Sequence, residues 1–127
     1  MNRFIVLVIV CTLAVCLVAG CAGEAKVYTD PKRPISVRVK QEFIIATSSN
    51  PATAYMWRET YDESMLELVA STFEVSEAVK RGEVEVGLEQ HFRFKALNKG
   101  KTEARIDLAG PDLKAIKESK VFSISID

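Results

Sequence analysis

Cysteine is confined to the start of this chain. Its three cysteines, Cys11, Cys16 and Cys21, lie within the first 21 of its 127 residues. Everything after Cys21 therefore lacks a thiol and a disulfide, which excludes a cysteine nucleophile and a cysteine-based metal site there. A domain built from that part of the chain has to be stabilised by its apolar core.

Histidine is nearly as scarce, because His91 is the single one. Its neighbours Phe92 and Phe94 alternate with polar residues, which predicts that His91 lies on the solvent side of a strand. A Ser-His-Asp triad would need His91 beside a serine and a carboxylate, and no close set of His, Cys and carboxylates indicates zinc. The adjacent Asp62 and Glu63 are better interpreted as solvated surface than as an acid–base pair. We predict a non-enzyme without metal or cofactor, with a small hydrolase as the remaining alternative.

Excess charge of one sign is also absent. The chain has 17 Lys and Arg against 17 Asp and Glu, a net charge of zero. Nucleic-acid-binding proteins usually carry a clustered basic face. We therefore expect no nucleic-acid partner.

One long apolar run is present, from Phe4 to Val18, interrupted only by Thr12. A short positive start containing Arg3 precedes it and small residues follow it, which together describe a secretory signal peptide over residues 1–20. The run has about fifteen residues, whereas a spanning helix needs about 20. A transmembrane anchor is therefore the weaker alternative.

The end of this run, Leu17-Val18-Ala19-Gly20-Cys21, resembles the bacterial lipobox. In a lipobox the cysteine is lipidated and becomes the first residue of the mature protein. Two or more acyl chains hold a protein stably on a membrane, whereas one does so only marginally. The resemblance implies export and a lipid anchor at Cys21, on the periplasmic or extracellular face of a membrane, with residues 21–33 as a flexible tether. An ordinary cleavage site followed by a chance cysteine is the alternative.

The rest of the chain alternates apolar and polar residues in short stretches, as half-buried strands do. Asn98-Lys99-Gly100 predicts a hairpin turn. Residues 61–80 fit a helix face or a strand, and their Val, Thr and Phe favour a strand ending near Val75. The pattern predicts an antiparallel sandwich or small barrel, with strands over residues 35–39, 43–47, 91–96, 102–108 and 121–126.

Three longer loops are expected around Asn50, from Val79 to Glu89 and from Ala109 to Ser119. Loops of a sandwich cluster at its two ends. If these three share one end, they form a composite surface of the kind that carries binding function.

The first of these loops carries a family resemblance. Asn50-Pro51-Ala52-Thr53-Ala54-Tyr55, followed by Trp57, resembles the Asn-Pro-Thr-Thr-Gly-Tyr-x-Trp signature of the chagasin family, which inhibits papain-type cysteine peptidases. Strand-like stretches at 42–45, 66–69, 92–100 and 121–126 also fall where the family has strands, so the resemblance covers about residues 30–127. It implies an all-β, immunoglobulin-like antiparallel β-sandwich of about seven to eight strands over residues 34–127.

The resemblance also implies a mechanism and a partner. In the family, three loops from one end of the sandwich enter and flank the cleft of a papain-like cysteine peptidase, reversibly and without a covalent intermediate, with the Asn-Pro loop at the catalytic cysteine. We expect a monomer in which Pro51 fixes one φ angle, small neighbours allow close backbone approach, and Tyr55 and Trp57 root the loop in the core. The residues carried over to peptidase binding are Asn50, Pro51, Ala52, Thr53, Ala54, Tyr55, Gly87, Leu88, Gly110 and Pro111.

Three departures from the family pattern motivate an alternative. Ala54 replaces the signature glycine, which would cost about 1 kcal/mol or more if that position needs a positive φ. The second loop's Gly-x-Gly-Gly becomes residues 85–88, where only Gly87 is retained, and the third loop's Arg-Pro-Trp becomes Gly110-Pro111-Asp112. The lost arginine and aromatic are residue types that often anchor interfaces. The alternative is a non-inhibitory, lipid-anchored surface module with the same fold.

Overall fold

The computed structural model describes residues 24–50, 53–84, 87–112 and 114–127. Within these ranges no helix is long and apolar enough to cross a membrane. The described residues form eight strands and one short helix, in the order β1 (Lys26–Tyr28), β2 (Ile35–Val37), β3 (Glu42–Ser49), β4 (Met56–Tyr61), β5 (Leu66–Val75), α1 (Glu77–Lys80), β6 (Leu88–Ala96), β7 (Gly100–Ala109) and β8 (Ile116–Ile126).

The strands form two four-stranded sheets, which confirms the predicted sandwich and its strand number. The first sheet has the order β1-β3-β6-β5 and the second β2-β8-β7-β4. Pairing is antiparallel except at one edge of each sheet, where β1 runs parallel to β3 and β2 parallel to β8. Both of these edge strands have three residues, and short edges offer little backbone for pairing with another chain.

The core forms where the alternating apolar residues of both sheets face each other. Phe43 stacks on Phe94 with ring centroids 5.7 Å apart, and Tyr61 meets Phe94 edge-on at 5.1 Å. Such aromatic pairs add about 0.5–1.5 kcal/mol to their area burial. The buried cluster consists of Ile35, Val37, Phe43, Ile45, Trp57, Leu66, Phe92, Phe94, Ala96, Ala104, Ile106, Phe122, Ile124 and Ile126.

The interior becomes polar toward one end of the first sheet. Thr47 and Gln90 are buried there and pair with each other across β3 and β6. The Gln90 side-chain amide donates to the Ser71 hydroxyl over 3.1 Å. The Thr47 hydroxyl has no hydrogen-bond partner within the described part of the chain. Apolar burial therefore stabilises this end of the sandwich less than the rest.

The two ends of the sandwich differ in how the strands are joined. At one end, which we call the turn pole, residues 38–41, 62–65 and 97–99 make short connections. Backbone hydrogen bonds join these connections, among them Lys40 N–H to the Ala96 carbonyl at 2.7 Å and Leu97 N–H to the Met65 carbonyl at 2.9 Å. At the other end, the loop pole, residues 50–55, 76–87 and 110–115 connect the strands.

The start of the folded domain and the end of the third loop differ from the predicted boundaries. Residues 26–28, expected in the tether, form β1 beside β3, so the folded domain begins before residue 34. The third loop ends sooner than expected, because β8 begins at Ile116 and pairs with β7 through residues taken for a loop. Both segments have few buried apolar side chains. They are strands because their backbones pair with a neighbouring strand, and the alternation of apolar residues does not indicate them.

Residues 61–80, which fitted either a helix face or a strand, contain the favoured strand. Residues 66–75 form β5, and Ser76 caps the single-turn helix α1 that follows. The second loop is therefore shifted from the predicted Val79–Glu89, since β6 already begins at Leu88.

Candidate functional site

Hydrogen bonds join the two sides of the first loop. The Asn50 carbonyl accepts hydrogen bonds from the Thr53 N–H at 3.2 Å and from the Thr53 hydroxyl at 3.0 Å. Asn50, Thr53 and Ala54 are exposed. Pro51 and Ala52, also predicted to bind the partner, lie outside the described residues, as does Cys21. The flanks of the loop tip are thus hydrogen-bonded to each other and open to a partner.

Ala54 is not strained in place of the family's glycine. Among the described non-glycine residues, only Lys40 has a positive φ, at 72°. Because Ala54 avoids the left-handed region, its Cβ carries no conformational penalty there. The first departure from the family pattern therefore introduces no backbone strain at position 54.

Trp57 fixes the base of the first loop, as the sequence analysis expected. Its side chain is 6% exposed and belongs to the core. The indole N–H donates to the Ser48 carbonyl over 2.7 Å. Since Ser48 lies next to the end of β3 in one sheet and Trp57 next to the start of β4 in the other, this bond joins the two flanks of the loop across the sandwich.

Tyr55 was expected in the core, and this expectation is wrong. Tyr55 is half-buried at the loop pole. A Cβ on Gly110 would lie 3.5 Å from the Tyr55 ring, and the Lys117 ammonium lies 5.4 Å from the ring centroid. Tyr55 therefore packs between the first and third loops and holds them in a fixed relation.

The second loop depends on a close approach of Gly87 to Ser76. The Ser76 N–H donates to the Gly87 carbonyl at 3.0 Å, while the Ser76 hydroxyl accepts from the Val79 N–H at 3.4 Å as the helix cap. A Cβ on Gly87 would come within 2.8 Å of that hydroxyl. Leu88 is half-buried in β6 between Ser49 and Val75. The single glycine kept from the family motif thus has a structural reason.

The third loop is a tight connection that exposes one of its two predicted site residues. The Gly110 N–H donates to the Ala115 carbonyl at 2.9 Å, and the Lys114 N–H donates to the Asp112 carboxylate at 3.2 Å. Pro111 is exposed, whereas Gly110 is buried against Tyr55. Pro111 is therefore available for contact, and Gly110 supports the neighbouring loop.

Two clefts flank the first loop. One of about 380 Å³ lies toward the third loop and includes Lys117 and Lys120. The other, of about 230 Å³, lies toward β5 and includes Met56 and Phe73, which are 57% and 55% exposed. These two apolar side chains at the loop pole were missed by the sequence analysis. The signal for Phe73 was its inward-facing position in the alternation of β5. It lies at the end of that strand, where the core is already polar.

His91 does not lie open to solvent as predicted. Its side chain is 13% exposed, because Glu89 and Glu74 cover it at 3.0 Å and 3.6 Å from its ring nitrogens. It does face away from the core, and the carboxylates of a neighbouring strand and of its own strand surround it. No group of three or more His, Cys, Asp and Glu in the described ranges could hold a metal ion.

What the loop pole offers is therefore a contact surface. It presents a hydrogen-bonded turn, an exposed proline and exposed apolar side chains from three loops and the adjoining strand ends. The condition set by the sequence, that the three loops share one end, is met by the topology. Such a surface suits a protein partner with a groove.

Comparisons with known proteins agree with this geometry. Residues 36–126 match the family described as "Chagasin family peptidase inhibitor I42". Among solved structures, the cysteine protease inhibitor EhICP2 from Entamoeba histolytica aligns with a TM-score of 0.63 at 20% identity, covering 83% of this chain and 99% of that one. Amebosin aligns with a TM-score of 0.60 at 14% identity, covering 83% of this chain and 100% of that one. No curated protein matches. At these identities the structural likenesses establish the fold.

Proposed function

Because the chain belongs to the chagasin family of peptidase inhibitors, we propose that it is a reversible inhibitor of papain-like cysteine peptidases and acts by inserting its first loop into the active-site cleft. The family consists of inhibitors rather than enzymes, and a similar fold occurs in a cysteine protease inhibitor of Entamoeba histolytica. The second and third loops would grip the two sides of the cleft.

The observation that carries the proposal is the arrangement of the three loops at one pole around a closed turn. The bonds from Thr53 to the Asn50 carbonyl tie the ends of the tip together, and Trp57 ties its base. A loop ordered before binding loses little conformational entropy when it docks. This supports the proposed wedge, because the partner would meet a surface that needs little rearrangement.

Each predicted site residue has a role in this proposal. Asn50, Thr53, Ala54 and Pro111 contribute exposed contact surface, together with Pro51 and Ala52 by the family resemblance. Tyr55, Gly87, Leu88 and Gly110 are half-buried or buried, and they hold the loops in place while offering their exposed parts. Met56 and Phe73 extend the surface on the β5 side.

The proposal also covers the protein's location and its oligomeric state. The lipobox-like sequence supports export and a lipid anchor at Cys21, and the folded domain would act as a monomer at a membrane surface. The monomer is carried over from the family resemblance.

Titration of papain with the full chain tests the inhibition. We expect saturable, competitive inhibition that is weakened at least tenfold by Thr53→Glu, because a longer charged side chain would enter the cleft beside the catalytic cysteine. A tenfold loss corresponds to about 1.4 kcal/mol. The matched control is Thr60→Glu, at a threonine on β4 that is also exposed and whose partner across the sheet is Arg105. It should inhibit like the unchanged protein.

A second candidate function is a non-inhibitory surface module, favoured by the loss of the arginine and the aromatic from the third loop. Absence of inhibition by micromolar protein across several papain-like peptidases would favour that candidate over the inhibitor. Equal loss of inhibition in both threonine variants would also count against the wedge.

A further inference from the structure

The direction of β1 determines which end of the sandwich carries the start of the domain. Lys26 pairs with Phe43 and Tyr28 with Ile45, in parallel. Its neighbour in the sheet, β3, begins at the turn pole with Glu42 and runs toward the loop pole, where it ends at Ser49. Since β1 runs the same way, the chain enters the sandwich near the turn pole and proceeds toward the loops.

The number of residues before β1 limits how far an anchor could be from this entry point. Cys21 precedes Lys26 by five positions, and five extended residues span at most about 17 Å. Ser49 lies six positions beyond Phe43 along β3, which corresponds to about 20 Å of strand. Even a fully extended segment directed toward the loops would therefore not bring Cys21 level with the end of β3, and the first loop extends beyond that.

We infer that a bilayer holding the lipid at Cys21 faces the turn pole, so that the three loops point away from the membrane. This inference rests on the proposed anchor at Cys21 and is independent of whether the loops inhibit a peptidase. The partner of the loop pole would then be free in the surrounding fluid or on an opposing surface. A site close to the plane of the same membrane would be out of reach.

The absence of cysteine after Cys21 makes the orientation measurable. The mature protein, which begins at the lipidated Cys21 and so lacks Cys11 and Cys16, is confirmed by intact mass and reconstituted into phosphatidylcholine–phosphatidylglycerol vesicles. Lys99→Cys at the turn pole and Ala54→Cys at the loop pole each provide one free thiol at an exposed position. Each is labelled with the same fluorophore, and quenching by headgroup-spin-labelled lipid is compared.

We expect the label at position 99 to be quenched at least threefold more strongly than the label at position 54. Inserting about 20 Gly and Ser residues between Ala22 and Gly23 should reduce this difference, because such a linker has an end-to-end distance of about 25 Å. Residues 21–127 carrying Cys21→Ser and either label, made without residues 1–20, should be unlipidated, and both labels should be unquenched.

Equal quenching of the two labels without the insert, or stronger quenching at position 54, would overturn the inference. A mass without lipid on the unchanged chain would do so as well. None of these measurements includes a peptidase, so a failed orientation and a failed inhibitor proposal give distinct results.

Discussion

The turn pole and the loop pole of this sandwich are built from the same strands in opposite ways. At the turn pole the connections are short and hydrogen-bonded to one another, and the interior beside them is aromatic and apolar. At the loop pole the connections are longer, the interior contains Thr47 and Gln90, and Met56 and Phe73 are exposed. The difference indicates that the turn pole stabilises the fold, whereas the loop pole provides the contact surface.

The largest expected effect separates two phenylalanines. Phe94→Ala should lower the free energy of unfolding by about 3–5 kcal/mol, because its fully buried ring contacts Phe43 and Tyr61. Phe73→Ala, the matched change at the loop pole, should cost less than about 1 kcal/mol, because that ring is 55% exposed. Urea unfolding measures both. Similar losses would remove the contrast between the poles.

A smaller effect is expected where the first loop joins the sandwich. Trp57→Phe removes the hydrogen bond to the Ser48 carbonyl while keeping an aromatic ring in the core. We expect a loss of about 1–2 kcal/mol in the free energy of unfolding, with weaker inhibition because the loop flanks are no longer joined. Urea unfolding and the papain titration give the two readouts, and unchanged inhibition would show that the bond does not order the loop.

Two glycines at the loop pole should respond differently to the same change. Gly87→Ala should cost about 1 kcal/mol in the free energy of unfolding, because the new Cβ meets the Ser76 hydroxyl at 2.8 Å and disturbs the helix cap. Gly110→Ala meets its nearest neighbour at an ordinary 3.5 Å and has no positive φ, so it should be nearly neutral. Thermal unfolding compares them, and the reverse order would contradict the loop geometry.

The smallest expected effect is on the stability of the fold at acidic pH. Burial acts to raise the pKa of Asp107, but hydrogen bonds from Ser119 and Arg105 outweigh it and lower that pKa below its ordinary value. A lowered pKa in the folded state stabilises the fold above about pH 4, and this contribution is lost as the pH falls through the folded-state pKa. The free energy of unfolding should therefore decrease less between pH 5 and pH 2 in Asp107→Asn than in the unchanged chain. An equal decrease in both would assign the acid sensitivity to other groups.

Much of the core could be predicted from the sequence because its strands alternate around buried side chains. Phe92, Phe94, Ile106 and Phe122 all face inward as the period of two requires. The edges could not be predicted this way. β1 and the first half of β8 become strands through backbone pairing with β3 and β7, and that pairing leaves no apolar signature in their own residues.

The candidate site shows the same division. The base of the first loop was predictable, because a tryptophan just after a turn fits a buried anchor, and Trp57 is one. The position of Tyr55 was not predictable, because it depends on how closely Gly110 of the third loop and Lys117 of β8 approach its ring. His91 was misjudged for a similar reason, since Glu74 on a neighbouring strand helps to cover it.

The central claim is that the three loops of the loop pole contact the peptidase. Hydrogen–deuterium exchange tests it most directly, comparing the full chain alone with the full chain in the presence of an excess of a papain-like peptidase that it inhibits. The account predicts slower exchange in residues 50–55, 76–87 and 110–115, with no change in residues 38–41, 62–65 and 97–99. Protection of those turns, with the loops exchanging as in the free protein, would contradict it.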